Sequence, residues 1–126
     1  MAVYTEFSKV LNYMVDEAHH TAVEHGFYED YMRIEDYCAV NNESAMMDTA
    51  KRDFILAQLA KIGSEIGEAV TVVQKQRTLD DLPEELADII IRTFDLAGFM
   101  KYNFGAAIID KMNKNQKRPY KHGKIC

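Results

Sequence analysis

The chain has 126 residues, of which 48% are hydrophobic and 28% charged, and a formal net charge of −5 at pH 7. This is enough for one core and not two, so residues 1–126 are expected to form a single globular domain. No apolar run approaches the roughly 20 residues that span a bilayer, the N-terminus lacks the basic and apolar regions of a signal peptide, and Cys38 and Cys126 form neither a metal spacing nor a disulfide framework. The expectation is a reduced, cytoplasmic protein with no membrane partner.

Four main helices are predicted. The first runs from about Thr5 to His25, where Tyr4, Phe7, Leu11, Met14 and Ala18 recur at amphipathic spacing; Gly26 is placed to end it. Residues 26–43 carry Phe27, Tyr28, Tyr31 and Tyr37 among five acids and two asparagines without a clean period. They read as a long loop or short helix, of a length that points to function. The second helix runs from Ser44 to about Gln76 on a stripe of Ile55, Leu59, Ile62, Ile66, Ala69 and Val73. Glu65 and Glu68 flank that stripe, and Gly63 and Gly67 thin a further face for close approach by a neighbour.

After a short link, Asp81 as N-cap, Pro83 in the first turn and Glu84 at N3 spell a capping box. The third helix then reaches about Tyr102 and buries Leu86, Ile89, Ile90, Thr93, Ala97 and Met100. The short link makes the second and third helices antiparallel neighbours. Asn103 caps a fourth helix, Phe104 to about Lys117, with Ile108, Ile109 and Met112 as its apolar side, and Pro119 bars helix at Arg118. The fold class is therefore all-α, a bundle of four main helices followed by an irregular tail.

Of the 20 acidic residues, only three pairs are spaced i, i+3: Glu65/Glu68, Asp81/Glu84 and Glu85/Asp88. The capping box accounts for the middle pair. Each of the others sets two like charges on one helix face, unfavourable by about 0.2–0.5 kcal/mol unless offset. A surface reading offsets them with Lys61 four residues before Glu65 and Arg92 four after Asp88. Taken together on neighbouring helices, the four carboxylates offer oxygen ligands for a hard divalent cation.

The other charge anomaly is C-terminal. Residues 101–126 hold seven Lys/Arg against the single acid Asp110. Lys111, Asn115 and Arg118 fall on one face and suit a polyphosphate, with Lys121, His122 and Lys124 able to fold over the same anion. A basic helix end complementing its own dipole explains part of that cluster. His19, His20 and His25 lack the spacing of a metal motif and read as surface or helix-end residues, with contact to a base or ribose as the alternative.

In the order Glu65-x-x-Glu68, Glu85-x-x-Asp88 and Lys111…Asn115…Arg118…Lys124, residues from about 53 to 124 resemble the MazG-like all-α nucleoside triphosphate pyrophosphohydrolases. The resemblance implies Mg²⁺- or Mn²⁺-dependent hydrolysis of (deoxy)nucleoside triphosphates to monophosphate and pyrophosphate. It implies Glu65, Glu68, Glu85 and Asp88 as metal ligands, with Glu68 the carboxylate that orients or deprotonates water. Lys111, Asn115, Arg118 and Lys121 would hold the substrate. Helices short of apolar partners add the expectation of a homodimer or homotetramer. The alternatives are a related pyrophosphohydrolase acting on phosphoribosyl-ATP or a nucleoside diphosphate, and a non-catalytic helical module binding nucleotide or, less in keeping with the acidic body, nucleic acid.

Overall fold

The structure is a computed structural model that describes residues 2–123, and among them every regular element is helical. Five α-helices follow one another: α1 (Ala2–Glu24), α2 (Glu29–Val40), α3 (Ser44–Lys75), α4 (Leu82–Phe99) and α5 (Phe104–Gln116), with a 3₁₀ turn at Tyr120–Gly123. The all-α expectation holds, with five helices in place of four. Lys124 and Cys126, and the side chains of Tyr4 and His122, lie outside what is described. No described helix is long and apolar enough to cross a membrane.

Three helices end on the same hydrogen-bonded device. After α1, Gly26 adopts φ 84°; its N–H donates to Val23 O and that of Phe27 to Ala22 O, the pattern of a Schellman stop. Asn42 and Lys101 take the left-handed position after α2 and α4 at φ 54° and 57°, with Glu43 N–H donating to Cys38 O and Tyr102 N–H to Ala97 O.

Of the two readings of residues 26–43, long loop or short helix, the structure shows the second, the 12-residue α2. Tyr31 and Cys38 are buried on one face of α2 and Tyr28 is buried at its N-cap, but the exposed Glu35 interrupts that face in the sequence. Tyr28 and Tyr31 pack with Phe54 of α3 and Phe99 of α4 at ring-centroid separations of 4.7–5.5 Å. The aromatics here are therefore core, apart from Phe27 and Tyr37, which are exposed.

The second packing centre joins α1, α4 and α5: Val15, Phe94 and Ala97, flanked by Leu11, Ala18, Phe104 and Ile108. The expected α1 stripe is thus rotated, leaving Phe7 and Met14 exposed. Asn103 does cap α5, accepting from Ala106 N–H at 3.2 Å, and Asn12 of α1 accepts from Gly105 N–H at 2.8 Å. At Gly105 the two helices nearly touch: a Cβ there would lie 2.4 Å from Ser8 O. Gly105→Ala must push backbone from backbone, and thermal melts should show a loss of about 1–3 kcal/mol.

The start of α4 differs from the capping-box expectation. Asp81 is the N-cap residue and Pro83 sits in the first turn, but the Asp81 side chain makes no cap hydrogen bond. Its carboxylate accepts from Gln76 Nε2, and Gln76 Oε1 accepts from Asp81 N–H. That clamp closes the turn between α3 and α4. The turn is short enough to lay the two helices antiparallel along each other.

Candidate functional site

The buried line of α3 is not the stripe that the apolar pattern suggests. Leu59, Ile66 and Val73 are exposed and Ile55 and Ile62 half-buried. The line runs instead through Phe54, Gln58, Ile62, Glu65, Ala69 and Val72. Glu65 therefore occupies a core position, 7% exposed. On α4 the expected inward residues Leu86 and Ile90 are also exposed, while Phe94 is buried. Gly63 and Gly67 face open space, with nothing within 4 Å of an added Cβ.

A charge placed in a core needs a partner. Glu65 finds it across the helix pair, where Arg92 Nε donates to Glu65 Oε1. The two residues are equally far from the α3–α4 turn, so antiparallel packing brings them level. This replaces both expected surface pairs, Lys61 with Glu65 and Arg92 with Asp88. It leaves Glu68, Glu85 and Asp88 without an ion-pair partner among the described residues.

Three of the four expected ligands converge. Glu65, Glu68 and Glu85 each offer a carboxylate oxygen, all within 4.8 Å of one another. Asp88 borders the same groove outside that set. Glu85 Oε2 is closed to solvent with no hydrogen-bond partner. Loss of hydration lifts the Glu85 carboxyl above its ordinary range, and the charges of Glu68, Asp88 and Glu65 push it the same way. A proton shared with Glu68, or a bound cation when the carboxyls are ionised, would satisfy that oxygen. The donor set is all-oxygen and anionic, which fits a hard divalent cation and not a soft metal.

The cluster opens into a groove of about 930 Å³ between α1 and α4, within the range of roughly 300–1,000 Å³ usual for small-molecule sites. Its walls include Met14, Ala18, Phe27, Leu86 and Ile90. Its charged lining is Glu17, Glu65, Glu68, Asp88 and Asp95 against Arg92 alone. No protein-family model matches this chain, nor does any curated protein or solved structure. The chemistry of the groove therefore rests on its own residues.

Lys111, Asn115, Arg118 and Lys121 are exposed on α5 and the segment after it, and none lines the groove. Lys121 lies over the Tyr120 ring, 5.6 Å from its centroid. Among the histidines, His20 pairs with Glu24 on the surface of α1 at 3.0 Å, whereas His19 is drawn inward to Asp95 at 2.9 Å. Two groups escaped the sequence reading, Arg92 as the counter-ion of Glu65 and Asp95 as an inward carboxylate. Both share the α4 face of Asp88, Arg92 one turn on and Asp95 two, which was the available signal.

Proposed function

We propose that this chain is a divalent-cation-dependent nucleoside triphosphate pyrophosphohydrolase of the MazG-like kind. The observation that carries the reading is the meeting of Glu65, Glu68 and Glu85 within 4.8 Å across α3 and α4, with one buried Glu85 oxygen lacking a donor. A groove lined by five carboxylates and one guanidinium repels a bare triphosphate. Substrate can enter only with cations that neutralise it.

In this reading Glu65, Glu68 and Glu85 hold Mg²⁺ or Mn²⁺, with Asp88 completing the set from the next turn of α4. The bound cation would supply charge neutralisation and acidify water. Glu68 is the solvent-exposed member of the cluster, which suits the carboxylate that receives a proton from the attacking water or orients it. The apolar wall between α1 and α4 receives the nucleoside. Incubation with each dNTP and Mg²⁺, followed by product separation, tests this: monophosphate plus pyrophosphate is expected, and diphosphate plus phosphate or no product overturns it.

Lys111, Asn115, Arg118 and Lys121 lie outside the groove of their own protomer, so in this reading they reach the leaving pyrophosphate from a second copy. Leu56, Leu59, Ile66, Val70 and Val73 form an apolar flank of α3, each 49–63% exposed, of the kind that marks an interaction surface. Sedimentation at micromolar concentration is expected to show a homodimer or homotetramer, and Leu59→Lys with Val73→Lys to give monomers. A monomeric parent would exclude delivery of these residues in trans.

The separation of α5 from the groove also favours a second reading, a helical module that binds an anion such as a nucleotide or nucleic acid through its basic end. A gel shift that weakens steeply with salt would support it.

A further inference from the structure

Asp95 takes no part in the cation cluster, yet two side chains from other segments converge on its carboxylate. The side chain is 14% exposed. Tyr28 Oη donates to Asp95 Oδ1 at 2.7 Å, and His19 Nδ1 lies 2.9 Å from the same oxygen. Tyr28 is itself buried at 3% exposure. Burial, then the hydrogen bond and charge of Asp95, hold its phenol far above the ordinary range, so it remains a donor at any working pH. His19 meets the Tyr28 ring edge-on at 4.8 Å and 84°, and its Cβ packs closely on α4, where a Cβ on Gly98 would lie 2.6 Å from it. Three segments of chain thus fix one carboxylate.

Among the described residues nothing donates to the second Asp95 oxygen, and no Lys or Arg pairs with the group. Satisfying Tyr28 and His19 alone does not need a charge; a neutral acceptor would do so without the desolvation cost. What a carboxylate adds is spare acceptor capacity, and Asp95 borders the groove. It stands seven residues beyond Asp88, about 10 Å along α4. The groove therefore combines a cation cluster, apolar walls and a fixed acceptor.

Resting on the reading of the groove as a nucleotide site, we propose that Asp95 reads the nucleoside: its second oxygen accepts a hydrogen bond from an N–H of the base or an O–H of the sugar while the phosphates lie at Glu65, Glu68 and Glu85. An acceptor-only group admits ligands that bring a donor to that point. It disfavours those that bring a carbonyl, because a desolvated carboxylate is then left unpaired.

Calorimetry in EDTA with the uncharged nucleosides deoxycytidine, deoxyuridine, cytidine and 2′,3′-dideoxycytidine tests this without cations, phosphate repulsion or turnover. The parent is expected to separate deoxycytidine from deoxyuridine, or cytidine from dideoxycytidine, by about tenfold or more in Kd. Asp95→Asn is expected to collapse that ratio below about threefold. Collapse of the first ratio identifies the base as the donor, and collapse of the second the sugar. Tyr28→Phe removes one donor from Oδ1 without touching the other oxygen; it should shrink the same ratio partway in a protein whose melt shows it folded, so the inference stays testable if Asp95→Asn does not fold. Equal weakening of all four ligands, an unchanged ratio, or no binding by the parent overturns the proposal. The same proteins assayed with dNTPs and Mg²⁺ separate the two claims: Asp95-dependent selectivity without hydrolysis defeats the hydrolase and keeps this assignment, and hydrolysis indifferent to Asp95 does the reverse.

Discussion

Glu68→Gln or Asp88→Asn is expected to cut triphosphate turnover by about 10²–10⁴-fold and weaken Mg²⁺ binding, while the metal-free protein stays at least as stable as the parent. Enzyme activity and stability part company here because the same carboxylates that attract a cation repel each other in its absence. Glu68 and Asp88 both raise the Glu85 carboxyl, so neutralising either relieves the fold. Near-parental turnover in both variants would remove the cation-site assignment.

The pH dependence follows with a definite sign. Folded Glu85 binds its proton more readily than the unfolded chain does, whose ordinary value is 4.5. The stability linked to Glu85 is therefore fully present below that value and is lost as pH rises through the raised folded value. Urea titrations of the metal-free parent should lose stability over that window relative to Glu85→Gln, which carries no titrating group. Mg²⁺ needs the ionised carboxylates, so its stabilising effect should grow over the same rise in pH. A parent and a Glu85→Gln variant with parallel pH curves would show that the cluster imposes no charge strain.

Helix type and position were legible where the chain carries local signals. Gly26 stops α1, Asn103 caps α5, and Ser44 begins α3 as its pattern predicts. Which face each helix buries was not legible. On α3, isoleucine, leucine and valine supply a stripe that is apolar enough for a core, yet the fold turns Glu65, Ala69 and Val72 inward. Hydrophobic periodicity finds the most apolar face, not the face that a neighbouring helix happens to cover. A helix with two usable faces can present one of them to another surface. For a similar reason residues 26–43 read as either long loop or short helix, because the exposed Glu35 lies between the buried Tyr31 and Cys38 of α2.

The candidate site was legible in part for a related reason. Spacing places Glu65 with Glu68 and Glu85 with Asp88, and a short link brings the helices alongside; three of these four then meet. Spacing cannot set the rotation of each helix, which decides that Glu65 points inward and Asp88 stands aside. Nor can it place α5 against the groove, because α5 packs on α1 through Gly105 and Ile108. Local patterns gave the acidic half of the site, whereas the basic half depends on packing that no local pattern encodes.

Arg92→Gln is expected to destabilise the metal-free protein by about 1–3 kcal/mol in urea titrations, and saturating Mg²⁺ to restore most of that loss. Glu65 sits in the α3 core beside two further carboxylates, and Arg92 is its only ion-pair partner among the described residues. Removing the partner of a fully buried ion costs about 3–5 kcal/mol; the Arg92 side chain is 46% exposed, so water moderates the effect. Glu65 Oε1 cannot serve Arg92 and a cation equally well. A divalent ion entering the cluster must compete with the guanidinium, and in the variant it meets no competitor. Apparent Mg²⁺ affinity without nucleotide should therefore rise in Arg92→Gln while stability without Mg²⁺ falls. The double variant Arg92→Met with Glu65→Leu should regain stability in EDTA, because no charge is then left buried, and should show no Mg²⁺ rescue. If Mg²⁺ stabilises this double variant as much as it does Arg92→Gln, the ion binds somewhere other than Glu65, and the cation site proposed between α3 and α4 is wrong.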